Sequence, residues 1–184
     1  MMQELSMNIL DVAENSVRAG ATLIEITVEE SSGTDLLSVT ISDNGCGMTP
    51  EQLKNVTDPF FTTRTTRKVG LGVPFFKMAA ELTGGKLEIQ STVGQGTVLR
   101  ADFVRSSIDL MPLGDINETI STLIHCNPQI DFLYTRRYEN AEMTLDTREF
   151  RRILEGLELN TPEVSRFIRE FLAENTADLI TGHG

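Results

Sequence analysis

Apolar positions near the start of the chain recur with helical spacing. Leu5, Ile9, Val12 and Ser16 fall on one stripe of a helix over residues 3–19, and Asn8, Asp11, Asn15 and Arg18 fall on the stripe beside it. Gly20 ends that helix. The period then changes to two. Ile24, Ile26 and Val28 alternate with polar residues over 23–29, and a second alternating run covers 37–42. Ser31-Ser32-Gly33 lies between the runs, so a hairpin is expected. Thr49-Pro50-Glu51 reads as an N-cap and first turn of a short helix reaching about Asn55. From Gly70-Leu71-Gly72 to Leu82 apolar residues lie nearly all round (Val73, Phe75, Phe76, Met78, Ala79, Leu82), which predicts a buried helix. Thr83-Gly84-Gly85 ends it, and strands over 86–91 and 97–104 flank the turn Gly94-Gln95-Gly96.

Residues 105–113 read as a linker. Beyond them the pattern predicts a helix over 115–125, a strand over 130–138, a returning strand over 141–145 and a short helix from Asp146 to about Leu157. A last helix opens at Thr161-Pro162-Glu163, with Val164, Phe167, Ile168, Phe171, Leu172 and Leu179 on one stripe. That stripe suits core packing or a partner groove. The organisation expected is therefore a larger unit over 1–104, the linker, and a small α+β module over 114–184 that packs or meets a partner. The fold class is α+β, a two-layer sandwich of a mixed sheet with helices on one face.

Composition narrows the function. The chain is 40% hydrophobic and 23% charged, ordinary for a globular protein, but its net charge is −11. Gripping a nucleic-acid backbone needs clustered Lys and Arg, so no nucleic-acid partner is expected. The two cysteines, Cys46 and Cys126, stand far apart and form neither a disulfide framework nor a zinc pattern. No apolar run is long enough to span a bilayer, and the acidic, polar start is no signal peptide. A cytoplasmic protein without membrane contact is expected.

Candidate chemistry gathers at three places. Asp43-Asn44-Gly45-Cys46-Gly47-Met48 follows a strand, which puts a carboxylate at a pocket rim with glycines that let a flat ligand approach. The same residues also suit an ordinary turn. On the first helix Asp11 and Asn15 stand one turn apart. The carboxamide oxygen of Asn15 suits Mg²⁺ and the carboxylate of Asp11 suits an attacking water; taken on this helix alone, a solvated face is the simpler reading. Phe61-Thr62-Thr63-Arg64-Thr65-Thr66-Arg67-Lys68 is the most basic spot of an acidic chain, fit to meet an anion, or else a surface loop. Gly70-Leu71-Gly72 then exposes helix N-terminal N–H groups that favour phosphate.

The ordered set formed by residues 10–22, Asp43 to Met48, 58–64, 69–73 and Gly94-Gln95-Gly96-Thr97 resembles the nucleotide-binding boxes of the GHKL superfamily (the Bergerat fold), over roughly residues 3–104. That superfamily includes gyrase, the ninety-kilodalton heat-shock chaperones, histidine kinases and mismatch-repair ATPases. The resemblance implies ATP and Mg²⁺ as ligands. It implies that Asn15 coordinates the metal and that Asp11 stands at the general-base position of the hydrolytic members, where Glu is usual. It further implies that Asp43 accepts from the adenine amine, helped by Thr97, with Gly45, Gly47 and Met48 around the ring. Phe61, Thr62, Thr63, Arg64 and Lys68 would form a lid over the phosphates, and Gly70, Leu71 and Gly72 the turn beneath them. Besides Asp11, the chain departs from the family pattern at Arg18, which replaces the acid of mismatch-repair relatives, and at Lys68-Val69, which replaces Gly-Thr or Gly-Tyr.

The expected function is that of a Mg·ATP-binding protein of histidine-kinase-like type in bacterial-type regulation. It acts as a serine or histidine-type protein kinase or as a slow ATPase, with a protein partner or phospho-acceptor and a homodimer left open. His125 lacks the flanking acidic and basic residues of a phospho-acceptor box. The alternative is a non-catalytic ATP-gated protein-binding module. Mismatch repair is disfavoured by the acidic balance and the short second half.

Overall fold

Strand alternation decides which side of the sheet becomes core. The computed structural model describes residues 4–58 and 71–182. Among them helix α1 (Leu5–Arg18) leads into the hairpin β1 (Leu23–Ser31) and β2 (Leu36–Asp43). Next come α2 (Pro50–Asn55), α3 (Gly72–Leu82), β3 (Lys86–Thr92) and β4 (Gly96–Val104). The chain ends with α4 (Ile116–Cys126), β5 (Asp131–Tyr138), β6 (Ala141–Asp146), α5 (Thr147–Leu154) and α6 (Pro162–Thr181).

The strands form one six-stranded sheet in the order β3-β4-β2-β1-β5-β6. All neighbours are antiparallel except β1 and β5, which run parallel with Ile24 beside Phe132 and Ile26 beside Tyr134. Register carries one apolar face across the sheet. Ile24, Ile26 and Val28 continue through Val39 and Ile41 to Leu99 and Ala101 on one side, and through Phe132 and Tyr134 to Leu145 on the other. The helices pack on this face, and each fully buried Leu, Ile or Phe there contributes about 1.5–3 kcal/mol. The opposite face carries Glu25, Thr27, Glu29, Thr40 and Arg100, as the polar half of the alternation requires. This is the expected α+β fold, a mixed sheet layered by helices.

Residues after 113 join the same sheet and the same hydrophobic core. Ile120, Leu123, Ile124, Phe132, Val164, Ile168 and Leu172 are buried in one cluster with Leu5, Ile9 and Val28. The 105–113 segment reaches the start of α1, where Leu5 N–H donates to Pro112 O at 3.0 Å and Ser6 N–H to Leu113 O at 2.9 Å. Arg136, only 3% exposed on β5, donates from Nη2 to Glu30 Oε1 at 2.7 Å, an ion pair that ties the second half to β1.

Two expectations change. Helix α3 buries Val73 and Phe76, but Phe75, Met78 and Leu82 are 37%, 50% and 62% exposed. The helix lies in the outer layer, so only the stripe facing the sheet is covered. Helix α5 stops at Leu154, not near Leu157, because Glu155 (φ 35°) and Gly156 (φ 87°) turn the backbone left-handed. The α2 start is a full capping box: Thr49 Oγ1 accepts from Gln52 N–H and Gln52 Oε1 accepts from Thr49 N–H. In α6, Val164, Ile168, Leu172 and Leu179 are buried while Phe167 stays 52% exposed.

Candidate functional site

Asp43 is the last residue of β2, opposite Ile24 on β1 and Thr97 on β4. Both carboxylate oxygens are held: Oδ2 accepts from Ser16 Oγ at 2.6 Å and Oδ1 from Gly45 N–H at 2.8 Å. Each oxygen keeps a further lone pair for a ligand. The next residue works as a staple. Asn44 Oδ1 accepts from the N–H groups of Thr22 (2.8 Å) and Leu23 (3.0 Å), and its Nδ2 donates to Thr22 Oγ1 at 2.8 Å. The end of β2 is thereby fastened to the α1–β1 turn.

Beyond Asn44 the backbone runs against the β3–β4 turn. Cys46 O accepts from Gly94 N–H at 2.8 Å, and Met48 N–H donates to Ser91 Oγ at 2.8 Å. Gly47 sits at φ 70°, and a Cβ there would lie 2.1 Å from Thr92 O, so only glycine fits. Ser91 Oγ is also 2.8 Å from Thr97 Oγ1, because register places Asp43, Thr97 and Ser91 side by side on three neighbouring strands.

These residues border a cleft of about 350 Å³. Its walls are largely apolar: Val12 and Ala19 from α1, Ile41, Ile89 and Leu99 from the sheet, Val56 after α2, and Val73 from α3. Asn15, Ser16, Arg18, Asp43 and Thr97 supply the polar groups, with Gly47 and Met48 on the rim. An apolar slot of this size with a few convergent polar groups suits a flat, partly polar ligand. Asn15 offers one amide oxygen, which at present accepts from Arg18 Nη2. Among the described residues no group of three or more His, Cys, Asp or Glu stands ready to cage a metal. The neutral oxygen of Asn15 is a donor of the hard type that Mg²⁺ takes beside phosphate and water oxygens.

Of the sequence-predicted residues, Asn15, Asp43, Gly47, Met48 and Thr97 come together around the cleft. Gly45 acts from behind, holding Asp43. Asp11 is not among the lining residues. Its side chain packs on the start of α3, where a Cβ on Gly72 would lie 3.1 Å from Asp11 Cβ. Burial there raises the Asp11 carboxyl above its ordinary value, partly offset by the Arg18 charge. Leu71, before α3, is 38% exposed. Phe61, Thr62, Thr63, Arg64, Lys68 and Gly70 lie outside the described residues. Sequence reading missed Ser91 as part of the site, gave Asn44 no role of its own within the Asp43 to Met48 stretch, and took Ser16 only as a member of the packing stripe. A hydroxyl among Leu5, Ile9 and Val12 was the available signal for Ser16; Ser91 had none, since its place depends on strand register.

Among the described residues no helix is long and apolar enough to cross a membrane. Residues 1–107 match the family described as histidine kinase-, DNA gyrase B-, and HSP90-like ATPase. The chain is 34% identical over 109 residues to a putative sensor protein of Shewanella frigidimarina, a match covering 58% of this chain and 17% of that one. It is 35% identical over 95 residues to the sensor histidine kinase ZraS of Salmonella typhi, covering 51% of this chain and 20% of that one. The matches thus span a fifth or less of these relatives' length. In fold, it is similar to the N-terminal domain of a DNA repair protein at a TM-score of 0.53 and 16% identity, over 79% of this chain and 52% of that one. With more than half of its length matched by the family and the site built on the same stretch, the chain belongs to the histidine kinase-, DNA gyrase B-, and HSP90-like ATPases.

Proposed function

We propose that the cleft binds Mg·ATP and that the protein passes the γ-phosphate to a protein acceptor, as a serine or histidine-type kinase, or hydrolyses it slowly. The observation that carries this reading is the doubly held carboxylate of Asp43 at the edge of an apolar slot. A carboxylate fixed in that way accepts from the exocyclic amine of adenine while the apolar walls take the ring faces. Gly47, Met48 and Thr97 border the base. Asn15 would hold the metal through Oδ1, and a cation held there would supply charge neutralisation at the phosphates. Asp11 orients a water or an incoming hydroxyl and takes its proton, a task that its raised proton affinity favours. The net charge of −11 speaks for a protein acceptor over nucleic acid.

The test uses γ-labelled ATP with purified protein, its Asn15→Ala variant and a lysate of its own source. Free phosphate lost in the variant identifies an ATPase. Label on one lysate protein, lost in the variant, identifies a kinase and its acceptor. Asp43→Asn should weaken ATP binding at least about tenfold, the scale of one lost charge-assisted hydrogen bond; unchanged affinity sinks the adenine assignment. A second reading, a non-catalytic ATP-gated binding module, is favoured by one observation: Asp11 packs on Gly72 and does not line the cleft. Tight binding with neither free phosphate nor transfer supports that module.

A further inference from the structure

Arg18 ends α1 and reaches back one turn, where its Nη2 donates to Oδ1 of Asn15. Both side chains border the cleft. Among the described residues Arg18 makes no ion pair within contact distance; its hydrogen bond goes to the Asn15 amide, and the Asp11 carboxyl one turn further back feels its charge without touching it. A positive residue at a helix C-terminus is favoured by the helix dipole, but that preference places a charge and does not direct it onto Asn15.

The atom that Arg18 occupies is the one assigned to magnesium in the reading above. A guanidinium has five N–H donors and no acceptor, so it meets this oxygen as a charged hydrogen-bond donor. Magnesium would take this same oxygen as a ligand. With the guanidinium still in hydrogen-bond range of the same oxygen, the two positive groups would stand within a few ångström and repel. The two positive partners of Asn15 therefore weaken one another at this oxygen.

We infer that Arg18 is a built-in competitor of Mg²⁺ for Asn15, holding the amide oxygen while no metal is present and turning to the nucleotide's phosphates when the metal arrives. The inference rests on the cleft being a Mg·ATP site. It has two consequences. Arg18 supplies positive charge to a triphosphate without any metal, so nucleotide binds in its absence. It also raises the magnesium concentration needed to load the site.

The experiment is equilibrium binding of a fluorescent ATP analogue to the full chain, as wild type, Arg18→Gln and Arg18→Lys. Each is titrated in excess EDTA and in rising MgCl₂, with melting temperatures measured alongside. Wild type should bind in EDTA. Arg18→Gln should lose about tenfold or more of that metal-free affinity, the scale of a charge-assisted contact to phosphate. Its affinity in saturating magnesium should change much less, and half-loading should need less magnesium than in wild type. Arg18→Lys keeps the charge at the helix end and loses the planar fork, so it should match wild type in melting temperature and fall between the two in EDTA.

Equal losses in EDTA and magnesium would reduce Arg18 to an ordinary phosphate contact and overturn the competition. So would unchanged binding in Arg18→Gln, or wild-type binding that disappears in EDTA. Wild type that binds the analogue under neither condition would overturn the ATP reading itself, an outcome distinct from the others.

Discussion

Ser16 and Asp43 lie 27 residues apart and meet through a 2.6 Å hydrogen bond from Oγ to Oδ2. The contact joins the last turn of α1 to the end of β2, so one hydroxyl sets the angle of the carboxylate that faces the cleft. Gly45 N–H holds the other oxygen at 2.8 Å. A carboxylate with both oxygens tethered loses little freedom when a ligand arrives, which is the advantage of preorganisation.

Ser16→Ala removes one tether and leaves the Gly45 contact. The expected cost is about 1 kcal/mol in stability, typical of one hydrogen bond. ATP affinity should fall about three- to tenfold, because Asp43 gains a second orientation. Urea unfolding and nucleotide titration read the two effects separately. Unchanged affinity would mean that Gly45 alone orients the carboxylate.

Gly47 and Gly94 form a matched pair. Both have left-handed backbone, φ 70° and φ 80°, but a Cβ on Gly47 meets Thr92 O at 2.1 Å while one on Gly94 meets nothing within 4 Å. Gly94→Ala should cost about 1–2 kcal/mol, the strain of that backbone region. Gly47→Ala adds an overpacking cost of about 1–3 kcal/mol and shifts the rim of the cleft. Melting curves of the two variants, with nucleotide binding of each, give the comparison.

Asp11 carries a pH signature. Its folded carboxyl is raised above the ordinary 3.8 by burial, so the native state holds the proton more tightly than the unfolded chain. This group's contribution to stability is fully present below 3.8 and is lost as pH rises through the raised folded value. Asp11→Asn is neutral throughout, so it should melt higher than wild type at neutral pH, and the difference should shrink as pH falls toward 3.8. Turnover, if Asp11 takes the proton in the reaction, should be lost in the same variant with ATP binding retained. A melting difference that does not vary with pH would sink the linkage.

A chain cut after residue 113 keeps every described residue that lines the cleft but loses β5 and β6. Strand β1 then becomes an edge, and Ile24, Ile26 and Val28, each at most 1% exposed in the full chain, lose cover from Phe132, Tyr134 and α4. The fragment should associate or aggregate, as exposed apolar edges do, and bind nucleotide weakly. Size-exclusion chromatography and a melting curve test this. A monomeric fragment that melts cooperatively and binds ATP would show that 114–184 is a separable module.

Much of this was legible from the chain. Alternation in β1 and β2 and the glycine-bounded turn at Gly94 placed the central strands, and Asp43 followed as the residue at a strand end. Other features depended on distance in space. Ser91 belongs to the site only because β3 pairs with β4 in the register that sets it beside Thr97. The parallel pairing of β1 with β5 left no mark in either strand, since Ile24 to Val28 alternates in the same way whether its neighbour is near or far in sequence. Helix α3 misled because an apolar count cannot tell a covered stripe from an open one; Met78 and Leu82 are as apolar as Phe76, and only packing separates them.

The β1–β5 pairing also sets a clock for the making of this protein. Val28 stands beside Arg136, 108 residues later. At about 5–20 residues per second of synthesis, β1 is finished roughly 5 to 20 seconds before its permanent neighbour exists. The Asp43 carboxylate and the β3–β4 turn are synthesised inside that interval, and the Ser16 tether just before it. The cleft is thus complete in sequence while one flank of the sheet is still open, and a newly made chain carries every residue of the site before its central strand is covered.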